Sequence, residues 1–97
     1  MPKINREEYE VLKELDDKWK WIARDDDLSV YDDKPVKVHS VIPCWDIRIT
    51  KSEWRVINRS LFQFIQWEDE EPYNIAELIE EYVLGKRIQS LFEWEKL

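Results

Sequence analysis

The stretch that most constrains the fold is Lys18 to Pro35, KWKWIARDDDLSVYDDKP. From Lys18 to Arg24 the side chains alternate, with Trp19, Trp21 and Ala23 on one side and Lys18, Lys20, Ile22 and Arg24 on the other. That is the period of a half-buried strand. Leu28 to Tyr31 is β-branched and aromatic enough to pair with it. Between the two runs lie Asp25, Asp26 and Asp27, whose short carboxylates bond neighbouring backbone and favour a turn. Asp32 to Pro35 then ends the second strand, because proline offers no ladder donor. A β-hairpin with a glycine-free turn is therefore the expected centre of the molecule.

The chain of 97 residues suits one domain over 1–97, long enough to fold without staples. Six Trp, four Tyr and three Phe supply the core, since each ring buries on the order of 150 to 250 Å². Cys44 stands alone, so no internal disulfide can form and an intracellular, cytoplasmic location is expected. MPKINREEYE has no apolar export core, and no run of about 18 apolar residues occurs. Neither export nor a membrane span is expected.

The net charge of −7 is unevenly spread. Residues 25–35 hold five acids against one lysine, and residues 66–81 hold seven acids and no base. Such blocks are repelled by phosphate backbones and by anionic lipid, which disfavours direct nucleic-acid or membrane binding. A basic protein partner is compatible with them.

In chain order, Ile4, Val11, Leu12 and Leu15, with Tyr9 at the edge, predict a helix from about Asn5 to Asp17, with Asn5 as its cap. Residues 36–50 read as one bent strand or two paired ones, interrupted by Pro43. Lys51 to Ser60 fits either a helical turn or a strand. Leu61 to Trp67 carries apolar side chains on both alternating faces and reads as a strand covered on both sides. Asn74 and Glu77 form a capping signature ahead of the stripe Ile75, Leu78, Ile79, Tyr82 and Val83. Gly85, the only glycine, sits where a helix ends, leaving 86–97 as a further short helix or a tail that orders on a partner. The expected class is α+β: an N-terminal helix, an antiparallel sheet of about four strands and a C-terminal helix packed on it in two layers.

LDDKWKWIARDDDLSVYDDKP and LFQFIQWEDEEPYNIAELIEEY resemble a family of small uncharacterised accessory proteins encoded by bacteriophages and prophages of Firmicutes. The carrying motifs are the Trp-Ile-Ala-Arg-Asp hairpin closed by Lys-Pro and the Trp-Glu-Asp-Glu-Glu-Pro segment, over roughly residues 7 to 84. The relatives usually place Asp-Gly in the turn, whereas here Asp27 runs directly into Leu28. A turn without glycine does not readily take the type I′ geometry, so a longer or differently shaped loop is expected. The resemblance implies a phage accessory role in a host cytoplasm and supplies no activity or catalytic residue.

Residue chemistry offers no catalytic group, cofactor site or metal site that outweighs a plain structural role. Asp25, Asp26, Asp27, Asp32 and Asp33 lack the spacing and glycine of a calcium loop. Cys44, His39 and Asp46 would need thiol and base in contact, and a packed cysteine is the simpler reading. The aromatic residues lack the basic groove of a base-stacking platform, so they are expected to turn inward. What remains for recognition is the acid: Asp25, Asp26, Asp27, Asp32, Asp33, Glu68, Asp69, Glu70 and Glu71. Part of the second block is explained as dipole-favoured charge ahead of a helix, or as a solvated loop. The expectation is a non-enzymatic protein whose acids occupy the basic groove of a host nucleic-acid enzyme, an anti-CRISPR-type inhibitor. The alternative is a homo-oligomeric structural or assembly protein, joined through Ile88, Leu91, Phe92 and Trp94.

Overall fold

In a computed structural model of the chain, the described residues are 2–39, 41–46 and 52–95, with side chains described through residue 88. Helix α1 spans Arg6–Glu14 and ends three residues earlier than expected. Asn5 Oδ1 accepts the Glu8 N–H at 2.8 Å, and Glu8 Oε1 accepts the Asn5 N–H at 2.9 Å. This reciprocal cap fixes where the helix begins.

The hairpin forms as β1 (Trp21–Arg24) and β2 (Leu28–Tyr31), in register from Trp21 opposite Tyr31 to Arg24 opposite Leu28. Asp25, Asp26 and Asp27 make a three-residue loop. Asp25 Oδ1 accepts the Asp27 N–H at 3.1 Å, and the Asp25 N–H donates to the Asp27 carbonyl at 3.0 Å. Local aspartate bonding thus replaces the glycine turn, and no residue of the loop has positive φ. Strand β5 (Trp54–Ile57) pairs with β2, and the short β6 (Tyr73–Asn74) pairs with β1. The sheet is antiparallel, in the order β5-β2-β1-β6. Residues 51–60 therefore supply a strand, not a helical turn. Strands β3 (Val36–Val38) and β4 (Cys44–Asp46) form a separate two-stranded ribbon, which settles residues 36–46 as two paired strands. Residues 47–50 of the expected run lie outside the described residues.

The hairpin is not half-buried: both its faces are covered. Ile22, Leu28 and Val30 join Ile4, Leu12, Ile75, Leu78 and Tyr82 in the main core, beneath the helices. Ala23 and Tyr31 meet Trp45 of the ribbon on the opposite face, with Trp21 and Trp67 against them. The expectation that Trp19 shares the Trp21 face fails because extended pairing starts only at Trp21. The Trp19 N–H closes a turn onto the Asp16 carbonyl, and its ring goes to the helix side. The α+β class and the packing of both helices on a four-stranded sheet stand as expected, and the ribbon adds partial cover on the second face.

Leu61 to Trp67 is not a strand. It is a chain of turns, in which the Leu61 N–H donates to Asn58, Ile65 to Phe62 and Asp69 to Gln66. Phe62 has φ 55°, a left-handed conformation that costs a non-glycine residue roughly 1–2 kcal/mol. Two groups hold it there, one buried and one half-buried. The Phe62 N–H donates to Glu8 Oε2, a carboxylate only 7% exposed. From β1 the Arg24 guanidinium donates to the carbonyls of Ile65 (2.7 Å), Leu61 (2.8 Å), Arg59 (2.9 Å) and Phe62 (3.2 Å). Those four carbonyls have no ladder partner, so the fork of Arg24 does the work a neighbouring strand would otherwise do. Phe62 and Ile65 are thereby pressed into the core, both essentially inaccessible.

Helix α2 runs from Ile75 to Glu95. Asn74 Oδ1 accepts the Glu77 N–H at 3.1 Å, as its capping signature predicts. Gly85 does not end the helix, and the segment after it continues α2 through Glu95 instead of forming a separate helix or tail. A Cβ built at Gly85 would lie 3.1 Å from Pro2 Cδ, so the glycine makes room for the start of the chain. Beside it Glu81 accepts the Lys3 N–H at 2.8 Å and pairs with Lys3 Nζ at 3.1 Å. Tyr9 of α1 stacks on Tyr82 of α2, with ring centroids 4.5 Å apart.

Two outcomes follow for stability in urea. Arg24→Ala leaves the Leu61 and Ile65 carbonyls without their donor and takes one bond from those of Arg59 and Phe62, and it is expected to cost about 3 kcal/mol; Arg24→Lys recovers less than half of that, because one ammonium cannot fork. Gly85→Ala gains helix propensity while the Pro2 ring yields by a few tenths of an ångström, so a net stabilisation of about 0.5 kcal/mol is expected.

Candidate functional site

The acids singled out in the sequence divide into those the fold uses and those it leaves in solvent. Asp25 is used twice, since its Oδ2 also accepts the Trp45 N–H at 3.1 Å and so ties the ribbon to the hairpin turn. Asp32 Oδ1 accepts the Glu53 N–H at 2.9 Å, and Asp33 Oδ1 accepts the Lys34 N–H at 3.0 Å. Asp69 Oδ2 accepts the Gln66 N–H at 3.0 Å, while Glu71 pairs with Lys34 at 2.9 Å. Asp26, Asp27, Glu68 and Glu70 are exposed, and their carboxylates have no bonded partner among the described residues. The helix dipole does not account for the second block. Pro72 and β6 separate it from the first turn of α2, where Glu77 is the acidic residue.

Both blocks converge on the ribbon side of the sheet. Asp25 grips the backbone of Trp45, and the Trp45 ring meets Trp67 edge-on with centroids 6.1 Å apart. Glu68 follows Trp67 directly. The Trp45 indole N–H donates to the Arg24 carbonyl at 3.1 Å, which fixes the ring against the hairpin. Lys37 lies over the Trp67 ring at 4.4 Å and donates to the Asp69 carbonyl at 2.8 Å. A tryptophan pair therefore links the Asp25–Asp27 turn to the Glu68–Glu71 turn.

Next to the first block is a cleft of about 470 Å³. Its floor is Ser29 and Tyr31 of β2, one wall is the aspartate turn with Trp45, and the other is Trp54 of β5, with Ile42 and Pro43 at the mouth. Trp54 is 60% exposed and Ile42 is 72% exposed. The expectation that the indoles turn inward holds for Trp19 and Trp45 and fails for Trp54. Residue Trp54 pairs with Tyr31 across β2 and so stands on the ribbon face, beside the cover that Trp45 provides. Sequence alternation alone could not show this, because the strand character of 54–57 was itself ambiguous. A flat exposed ring beside unpaired carboxylates suits a cation carried on an aliphatic stem.

Two titratable groups at this cleft are shifted toward their neutral forms. Burial, and then the Asp25 carboxylate, push the Tyr31 hydroxyl far above the usual phenol range. Burial raises the Cys44 thiol, and Asp46 and Asp25 add to it, so the thiolate is suppressed. His39 is placed against Trp67, with ring centroids 5.9 Å apart. Among the described residues, no three His, Cys, Asp or Glu are gathered as a metal site, and no helix is long and apolar enough to cross a membrane. The side chains of Leu91, Phe92 and Trp94, expected at a self-contact, lie outside the described residues. No family model, curated protein or solved structure matches the chain.

Tyr31 gives the site a pH signature. Its folded pKa is raised, so its contribution to stability is complete below the ordinary phenol value of 10 and is lost as pH climbs above it. In an alkaline absorbance titration, Tyr31 should ionise only together with unfolding, and Tyr31→Phe should remove that late step.

Proposed function

We propose that this chain is a phage accessory protein that acts by protein–protein binding, as an anti-defence inhibitor of the CRISPR-directed kind. Its acidic surface occupies the basic, nucleic-acid-binding groove of a host enzyme. The observation that carries the reading is the division of labour among the acids. Asp25, Asp32, Asp33 and Asp69 are consumed by backbone donors, whereas Asp26, Asp27, Glu68 and Glu70 face solvent unpaired.

Charges left in that state raise the free energy of the isolated protein through mutual repulsion, and a basic surface relieves it. The Trp45–Trp67 contact joins the two turns, which limits the ordering entropy lost on association. The cleft beside Trp54 gives a seat for one lysine or arginine of the partner, its stem on the indole and its charge against Asp26 and Asp27. The phage resemblance in the hairpin and in the Trp67–Pro72 segment supports the same class.

The test is capture from host lysate with mass spectrometry of what is held. A basic nucleic-acid enzyme should be retained at low salt and released as ionic strength rises through roughly 0.5 M. The combined neutralisation Asp26→Asn, Asp27→Asn, Glu68→Gln and Glu70→Gln should abolish capture while holding or raising the melting temperature, because it relieves that repulsion. Neutralising Glu7 and Glu14 on α1 should have no effect. Undiminished capture by the fourfold variant would remove the proposal.

A further inference from the structure

The sheet has two outer edges, and the fold closes only one of them. Strand β6 is two residues long, follows Pro72 and runs straight into α2, so little of its outer edge is open to pairing. Strand β5 is the edge at the other end, and Ser52 to Ile57 contains no proline, glycine or lysine. The Asp32 N–H donates to the Glu53 carbonyl at 3.3 Å, so Glu53, and with it Arg55 and Ile57, turns its main chain toward β2. The N–H and C=O groups of Trp54 and Val56 therefore point away from the sheet, and they have no bonded partner among the described residues. Their side chains stand on the ribbon face, 60% and 45% exposed. An edge of this kind is completed by an extended chain, because a strand offers donors and acceptors at the matching interval.

We infer that the outer edge of β5 is a self-association surface, which pairs antiparallel with β5 of a second copy of this chain into one continuous sheet. The side chains select that occupant and its register. Arg55 is exposed, and its guanidinium has no bonded partner among the described residues. Two positions earlier on the same face, Glu53 uses Oε2 for Lys18 at 2.6 Å, which leaves Oε1 for a second cation. One strand thus carries both an acid and a base, in positions that a two-fold axis brings opposite one another. With the axis at Trp54, Arg55 of each copy faces Glu53 of the other, Trp54 packs on Trp54, and Val56 lies opposite Ser52. An axis at Arg55 would oppose two guanidinium groups. An axis at Val56 would set Trp54 against Asn58, where the chain already turns, with the Leu61 N–H on the Asn58 carbonyl. The edge faces away from β2, whose residues floor the acidic cleft, so the contact does not rest on the proposed role of the acidic turns.

Sedimentation equilibrium of the full chain tests this, and the wild type should be a dimer. Val56→Pro removes an outward N–H and no bond to β2, so the monomer should keep its circular dichroism. The dimer loses that donor twice and should weaken roughly thirtyfold or more. Glu53→Arg sets like charges opposite one another, as does Arg55→Glu, and each alone should weaken association about tenfold in low salt. An equimolar mixture of these two variants should recover it, because each supplies the charge that the other lacks. The charge variants decide the matter if Val56→Pro lowers the melting temperature. A wild type monomeric up to its solubility limit, which leaves the edge to a strand of another protein, overturns the inference, as does a dimer indifferent to Val56→Pro. Failure of the mixture to recover association overturns the register centred on Trp54.

Discussion

The fork of Arg24 is the interaction on which the rest of the structure depends. One side chain, rooted in the central hairpin, gathers four carbonyls from a segment with no strand beside it. Without those bonds the Leu61 and Ile65 carbonyls would lie unpaired at the edge of the core, at a cost of about 1–3 kcal/mol for each group left buried and unmet. With them, Phe62 and Ile65 become the floor on which both helices rest. Glu8 completes the arrangement from the opposite side. Its second oxygen serves the Phe62 N–H while its first closes the cap of α1, so the helix start and the buried loop are fixed by the same carboxylate.

That clamp allows the sheet to be covered twice with few residues. The helix side is closed by α1, α2 and the Arg24-bound turns, and the ribbon side by Trp45 and Trp67 leaning on Ala23, Trp21 and Tyr31. The ribbon is itself held by polar bonds, Asp25 to the Trp45 backbone and Trp45 Nε1 to the Arg24 carbonyl. Arg24 thus serves one face with its guanidinium and the other with its main chain. The β5 end of the second face stays open, which is why Trp54 and Val56 are exposed and why the cleft lies there.

What could be read from the residue pattern was whatever local chemistry decides. The hairpin boundaries at Arg24 and Leu28, the Asn5 and Asn74 caps and the apolar stripe of α2 all depend on side chains within four residues of one another. Where distant partners decide, the local pattern misleads. LFQFIQW has the alternation of a strand, but its carbonyls are taken by a guanidinium some forty positions earlier, and no period in the segment reveals that. Gly85 looked like a terminus because glycine usually is one there, whereas the neighbour that requires it is Pro2, at the other end of the chain. The acids were legible as blocks, but which carboxylates serve the backbone became visible only once Trp45, Gln66 and Glu53 had been placed beside them.

Packing both sides of the hairpin has a consequence for how such a chain can change over generations. Ile22, Ala23, Leu28, Ser29, Val30 and Tyr31 are all buried, so nearly every position of the two strands is fixed by a neighbour above or below the sheet. Heritable variation is therefore channelled into the loop tips, where Asp26, Asp27, Glu68 and Glu70 touch nothing that holds the scaffold together. The residues freest to drift are those whose side chains face solvent, so the outer charge pattern can change while the framework is inherited intact.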